Sequence, residues 1–284
     1  MKFSKYLKIW KPAVKGSILV IFGILNSRIG IGVEIFTNNL IYGPLAYLFL
    51  AFSGIIITRF LLISKNLSND SRLKLKSVLI TSGVFYIIGF TLIICNVIFN
   101  SGIYYLNFLI LIFTVLIGIF WSLSGYYGFK VKKNTAFINI IVITFIFSMG
   151  IIYGAFLNTF LFPIYIYFFF LSATFLQLSR DLMKIFDGKE KKEDLQECFN
   201  QDAVLRVVLM FEILAIGFFI LPVYYITSYP LAYLVFMICG VILIIFSCIF
   251  TLESILERKI SYRISSILKI SIVFQLIAFL ISGG

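Results

Sequence analysis

The sequence predicts an all-α integral membrane protein in which about nine helices cross the bilayer. Hydrophobic residues make up 61% of the 284-residue chain, and its mean hydropathy is +1.08, whereas a soluble domain is about half apolar. The apolar residues lie in long runs with few charges, and a spanning helix needs about 20 such residues. Lys and Arg fall into alternate loops between these runs. These observations favour a multi-pass protein of the cell membrane.

Nine apolar runs follow one another along the chain, and a backbone in lipid satisfies its hydrogen bonds at these lengths only as a helix. The fifth and sixth runs nearly merge, with a turn expected at Asn158 and Thr159. We expect a single domain over 1–284, in which two sub-bundles of about 1–135 and 136–284 surround a cavity that opens inward. The predicted spans are 14–33, 44–64, 78–99, 105–124, 137–156, 158–177, 203–223, 231–250 and 267–282.

Basic residues precede the first span and follow the second, fourth, sixth and eighth, whereas the other loops contain no Lys or Arg. Cytoplasmic loops carry such an excess of positive charge. The alternation therefore supports nine spans and places the N-terminus in the cytoplasm and the C-terminus outside. The net charge of +12 is explained by loops that face anionic lipid headgroups, so nucleic acid is not expected as a partner.

Composition excludes several other classes of protein. The chain has no His, and its four Cys form no CxxC pair, so neither a zinc site nor a disulfide framework is supported. The absence of His also removes the commonest proton shuttle. There is no Walker A sequence, no dinucleotide-binding glycine pattern and no nucleophile elbow.

The longest inner loop, 178–202, contains seven of the twelve carboxylates. Leu178, Leu182 and Ile185 recur at helical spacing, which predicts that span six continues as a helix to a break at Gly188. Carboxylates beside Lys and Arg could bind Mg²⁺ and a diphosphate. A solvated loop with local ion pairs is the alternative.

Glu212 lies near the middle of span seven, where a carboxylate should be neutral, paired or turned to a polar cavity. We expect it to face the protein interior near a polar residue such as Asn139 or Tyr127. Arg59, near the inner end of span two, can extend to the membrane surface. An ion-coupled transporter would be a third class of function, and it would rest on Glu212 alone.

An aromatic and basic run at 126–133 follows span four, and Asn139 follows it inside span five. An interfacial aromatic belt with snorkelling lysines would explain the run by itself. A binding role for its Tyr and Lys side chains is the alternative.

Three stretches, together with nine spans and a long charged inner loop after span six, resemble the UbiA-type superfamily of intramembrane prenyltransferases. At 6–12, basic residues and Pro12 precede the first span. The stretch 127–133 with Asn139 is similar to the family's tyrosine–lysine stretch and its following Asn. The stretch 178–184 is similar to the family's approach to its second aspartate motif.

The resemblance implies transfer of an isoprenyl group from its diphosphate to a lipid or aromatic acceptor, within a membrane and with Mg²⁺. It implies catalytic roles for Asp187, Glu190 and Asp194, with Asp187 and Glu190 as metal ligands. The implied substrate-binding residues are Arg59, Tyr127, Lys132, Asn139, Arg180, Lys184 and Glu212.

The first aspartate motif of the family is absent, because Thr58, Leu61 and Lys65 occupy its three aspartate positions. In the second motif, Ile185 replaces the Asp that follows the Lys. Since Mg²⁺ neutralises the leaving diphosphate, we expect weak metal affinity and slow or absent transfer. The alternative is a catalytically degenerate relative that binds or transports an isoprenoid lipid, or that acts as a membrane scaffold.

Overall fold

A computed structural model describes residues 3–27, 37–63, 71–99, 135–158, 164–186, 200–225, 231–257 and 263–281, and the regular structure in these ranges is helical throughout. A 3₁₀ turn, Leu221–Tyr224, continues the sixth helix. The α-helices of the described ranges are α1 (Phe3–Ser27), α2 (Thr37–Ile63), α3 (Ser71–Phe99), α4 (Thr135–Asn158), α5 (Tyr165–Phe186), α6 (Gln201–Ile220), α7 (Leu231–Glu257) and α8 (Arg263–Ile281).

Each predicted span except the fourth, 105–124, has a matching helix, and that fourth span lies outside the described residues. The all-helical membrane class is confirmed, while the count of nine spans and the sides of the termini stay predictions. α5 runs unbroken to Phe186, so the predicted helical continuation of span six is confirmed to that residue. Five described segments are long and apolar enough to cross a membrane: Asn38–Ile56, Leu79–Asn96, Gln201–Tyr224, Leu231–Glu257 and Arg263–Ile281.

The chain forms two compact units, Met1–Phe162 and Pro163–Gly284. Helices α1 to α4 belong to the first unit and α5 to α8 to the second. The sequence predicts a division near residue 135, which would place α4 in the second unit, whereas the structure places α4 in the first. Within the first unit, α4 packs extensively against α1 and also contacts α2.

Glycines bring α4 close to α1. A Cβ atom on Gly154 would collide with the backbone carbonyl of Val20, and one on Gly150 would collide with that of Gly16. Small residues four positions apart allow such close backbone approach between helices in lipid. The contacts follow the same direction along both helices, from Gly16 with Gly150 to Val20 with Gly154. Helices α1 and α4 are therefore parallel, as the predicted topology requires for spans one and five.

A polar junction joins three helices of the first unit. Asn39 of α2 donates its amide to the carbonyl of Leu157 in α4 at 2.8 Å, and Asn96 of α3 donates to the Asn39 side-chain oxygen at 2.8 Å. Nearer the middle of α2, the hydroxyl of Tyr47 donates to the carbonyl of Ile146. The order of these contacts shows that α2 and α4 run antiparallel, again as the predicted topology requires within this unit.

Aromatic rings fill the second unit. Phe169 of α5 lies with its ring centre 4.4 Å from that of Phe279 in α8 and 6.2 Å from that of Phe219 in α6. The Ser172 hydroxyl donates to the carbonyl of Ala215 at 2.9 Å, which ties α5 to α6. Ring contacts of this kind add to the energy of simple burial, and they hold the N-terminal half of α5 against α6 and α8.

Candidate functional site

Three of the predicted site residues have described side chains: Arg180, Lys184 and Glu212. Arg59 lies in α2 and Asn139 in α4, but their side chains fall outside the described part of the structure. Their roles in binding substrate therefore stay predictions. The predicted site residues that lie wholly outside the described ranges are Tyr127, Lys132, Asp187, Glu190 and Asp194.

Four polar side chains form a connected group at the C-terminal end of α5, which we call the α5 polar cluster: Gln177, Arg180, Asp181 and Lys184. Lys184 Nζ lies 2.5 Å from Asp181 Oδ1, and Gln177 Nε2 donates to Asp181 Oδ2 at 2.6 Å. Arg180 Nη1 donates to Gln177 Oε1 at 3.2 Å. Residues three and four apart share one face of a helix, so the sequence spacing could have revealed the cluster.

Arg180 retains hydrogen-bonding capacity. Its Nε is buried and has no hydrogen-bond partner in the described structure. Burial lowers the pKa of the Arg180 guanidinium, and the charge of Asp181 raises it in part, but an arginine side chain remains protonated in proteins. The guanidinium is therefore a charged donor with an N–H available for an acceptor such as a phosphate oxygen.

The pair between Lys184 and Asp181 is held loosely. The Lys184 side chain is 41% exposed, whereas that of Asp181 is 16% exposed. An ion pair with one exposed partner contributes at most about 1 kcal/mol. Lys184 can therefore turn from Asp181 toward an anion without a large loss of stability.

Helix α2 supplies no carboxylate for a metal, since Thr37–Ile63 contains no Asp or Glu and Arg59 is its single charged residue. Within the described ranges, no three Cys, Asp or Glu side chains come together as metal ligands. The predicted ligands Asp187 and Glu190 fall outside those ranges. The donor set of α2 does not fit the Mg²⁺ site of the family, and Mg²⁺ binding by the 178–202 loop stays a prediction.

Glu212 is fully buried, so the prediction that it faces the protein interior is confirmed. Ser247 Oγ donates to its Oε1 at 2.5 Å, and Thr251 Oγ1 donates to its Oε2 at 3.1 Å. Both hydroxyls come from α7. The proposed partners Asn139 and Tyr127 have no described side chains. The sequence signal for these partners is the spacing of Ser247 and Thr251, which places both hydroxyls on one face of a helix.

Glu212 has three described hydrogen-bond partners, and all of them are neutral. They are the hydroxyls of Ser247 and Thr251 and the thiol of Cys248. Together they tie α6 to α7 deep in the second unit. None of the described contacts joins Glu212 to the α5 polar cluster. Its assignment to substrate binding therefore stays a prediction, and the observed contacts give it a structural role.

No protein-family model matches the chain, and no curated protein sequence matches it. Among solved structures, a digeranylgeranylglyceryl phosphate synthase in membranes matches over 98% of this chain and 99% of its own, with 19% sequence identity and a TM-score of 0.68. Because the likeness covers the whole chain at low identity, it shows the fold. The chain therefore has the fold of this membrane synthase.

Proposed function

We propose that the protein is a prenyltransferase of the cell membrane, which transfers an isoprenyl group from its diphosphate to a hydrophobic acceptor. The observation that carries this proposal is the fold, which matches a membrane prenyltransferase over 98% of the chain. The sequence resemblance to UbiA-type enzymes at 127–133 and 178–184 supports it independently.

The α5 polar cluster supplies the chemistry for the diphosphate. A guanidinium is planar and matches the oxygens of a phosphate group with paired N–H donors. Arg180 offers a buried Nε that has no partner in the described structure, and Lys184 is free to leave its exposed ion pair. Two cations at a low-dielectric surface attract an anionic ligand.

The acceptor class follows from the same likeness. The matching protein is named for its product, digeranylgeranylglyceryl phosphate, which is a glyceryl phosphate with two geranylgeranyl groups. We therefore place a prenylated glyceryl phosphate first among acceptors for this chain. An aromatic acceptor is the other class that the sequence resemblance implies.

The chemistry differs from that of the ordinary family at α2. Thr58 and Leu61 lie in this helix, which contains no carboxylate. A cation can meet a phosphate directly, so Arg59 and Lys65 could replace part of the metal's charge. We expect diphosphate binding that depends weakly on Mg²⁺ and transfer that is slower than in relatives with both motifs.

The test uses the purified full-length protein in lipid nanodiscs with radiolabelled geranylgeranyl diphosphate, Mg²⁺ and a panel of prenylated glyceryl phosphates and aromatic acids. We expect a labelled lipid product and a loss of at least about tenfold in diphosphate affinity when Arg180 and Lys132 are both changed to Ala. The matched control is Arg206→Ala, since Arg206 is an exposed arginine of α6. Absence of both product and diphosphate binding would overturn the proposal.

The absence of the first aspartate motif favours a second candidate function. In it, the protein is a catalytically degenerate relative that binds or transports an isoprenoid lipid or acts as a membrane scaffold. A metal titration of turnover separates the two. Mg²⁺-dependent transfer that disappears when Asp187, Glu190 and Asp194 are changed to Ala would support the enzyme. Binding of the labelled diphosphate with no product at any metal concentration would support the second candidate.

A further inference from the structure

We propose that Gln177 is a positioning residue of the α5 polar cluster, whose amide holds the Arg180 guanidinium with one edge free to bind a single phosphate group of an anionic ligand. This inference rests on the proposed anion-binding role of Arg180. The sequence pattern by itself indicates no role for Gln177.

The hydrogen-bonding chemistry fixes the orientation of the Gln177 amide. Arg180 can only donate and the Asp181 carboxylate can only accept, whereas an amide does both. The amide oxygen must therefore face Arg180 Nη1, at 3.2 Å, and the amide nitrogen must face Asp181 Oδ2, at 2.6 Å. Gln177 is 6% exposed, so bulk water does not compete for these bonds.

The bond to Gln177 leaves the useful edge of the guanidinium open. Gln177 occupies Nη1, while the edge formed by Nε and Nη2 carries the paired N–H groups that match two phosphate oxygens. Nε is buried without a partner in the described structure. A buried donor that lacks an acceptor is unfavourable, so this geometry favours a ligand that brings one.

Gln177 also keeps the neighbouring carboxylate away from Arg180. Gln177 binds Oδ2 of Asp181, and Lys184 binds Oδ1. Both carboxylate oxygens are thereby engaged. Without the amide, Oδ2 would be free to pair with the adjacent guanidinium and to compete with the ligand for it.

The test measures binding of inorganic diphosphate to the full-length protein in nanodiscs by titration calorimetry. Gln177→Met keeps the length of the side chain and removes both hydrogen bonds, so we expect diphosphate affinity to fall about tenfold. Gln177→Glu places a carboxylate against Arg180, and we expect a larger loss. The control on the same helix is Thr174→Val, whose hydroxyl bonds the carbonyl of Phe170 one turn earlier.

A double-mutant cycle separates positioning from a general effect on folding. If Gln177 acts through Arg180, Gln177→Met should have no further effect on diphosphate affinity in an Arg180→Ala background. An equal loss in both backgrounds would overturn the proposal, as would unchanged affinity in Gln177→Met. If Gln177→Met fails to fold, the same cycle is run with Gln177→Asn, which keeps a neutral amide but is one methylene shorter and so draws it back from Arg180 and Asp181.

The same variants distinguish a failure of the proposed anion site from a failure of the positioning role of Gln177. If Arg180→Ala alone leaves diphosphate binding unchanged, then Arg180 is not an anion ligand, and the proposed site is wrong whatever Gln177 does. If Arg180→Ala weakens binding but Gln177→Met does not, the site stands and the positioning role is wrong.

Discussion

The two units of the chain hold their helices together by different means. In the first, glycines bring the backbones of α1 and α4 into direct contact, and polar side chains such as Asn39 bond to backbone carbonyls of other helices. In the second, phenylalanine rings fill the space between helices, and the buried Glu212 bonds to side-chain hydroxyls. Lipid tails are as apolar as leucine, so helices in a membrane associate through packing and polar contacts instead of hydrophobic burial.

This difference predicts how each unit responds to substitution. The first unit has no space between α1 and α4, so an added carbon must push the helices apart. In the second unit, side-chain atoms make the contacts, and a change can be absorbed when the hydrogen-bonding pattern is kept. The following three changes test this contrast in order of expected effect.

Gly154→Ala should have the largest effect, because its Cβ would meet the backbone carbonyl of Val20, which cannot move without α1. We expect a loss of about 3 kcal/mol in the free energy of unfolding, measured by equilibrium unfolding in mixed detergent micelles. The controls are Gly83→Ala and Gly217→Ala, at which a Cβ meets nothing within 4 Å. Equal behaviour of all three variants would show that glycine contacts do not hold the first unit.

Glu212→Ala should lower the free energy of unfolding by about 2 kcal/mol, since it leaves the buried Ser247 hydroxyl without its acceptor. Glu212→Gln should cost less than about 1 kcal/mol, because its amide oxygen can accept from Ser247 and its nitrogen can donate to Thr251. Thermal unfolding in detergent would compare the two. If both variants lose the same stability, hydroxyl bonding does not explain the buried carboxylate.

The Asn39 and Asn96 pair should have the smallest effect. A double-mutant cycle with Ala at both positions should give a coupling energy of about 0.6 kcal/mol, the average for hydrogen bonds between membrane helices. Thr91→Ala serves as the control on α3, because Thr91 is exposed and bonds the Ile87 carbonyl of its own helix. A coupling energy of zero would mean that the hydrogen bond between Asn96 and Asn39 does not contribute to the assembly of the first unit.

Hydropathy was enough to locate the helices that the structure describes, because each contains a long apolar run of the kind that a spanning helix needs. The inward orientation of Glu212 could also be predicted, since an ionisable group is costly when it faces lipid. The helical extension of α5 to Phe186 followed from the apolar spacing of Leu178 and Leu182. Each of these features depends only on the residues of one segment and on whether that segment lies in lipid or water. The residue pattern of a single segment is therefore enough to predict it.

The relative directions of the helices in the first unit could be predicted from the alternating loop charges, but the contacts between particular residues of two helices could not. α4 is apolar around its whole circumference, so its sequence does not show which helix it contacts, and the role of Gly154 depends on the position of Val20. The partners of Glu212 come from α7, at Ser247 and Thr251, although their spacing was visible. Gln177 could not be predicted from the charge pattern, because the amide that connects the charged residues carries no charge itself.

Because α5 is one continuous helix, we expect the depth of the α5 polar cluster in the membrane to depend on bilayer thickness. Its 22 residues extend about 33 Å at 1.5 Å per residue, slightly more than the ~30 Å hydrocarbon core of a typical bilayer. A continuous helix that is longer than the hydrocarbon core is expected to adapt to a thinner membrane by tilting. If α5 spans the bilayer as predicted, we expect a thicker membrane to bring Arg180 and Lys184 nearer the acyl chains, and the proposed anion binding to depend on lipid chain length.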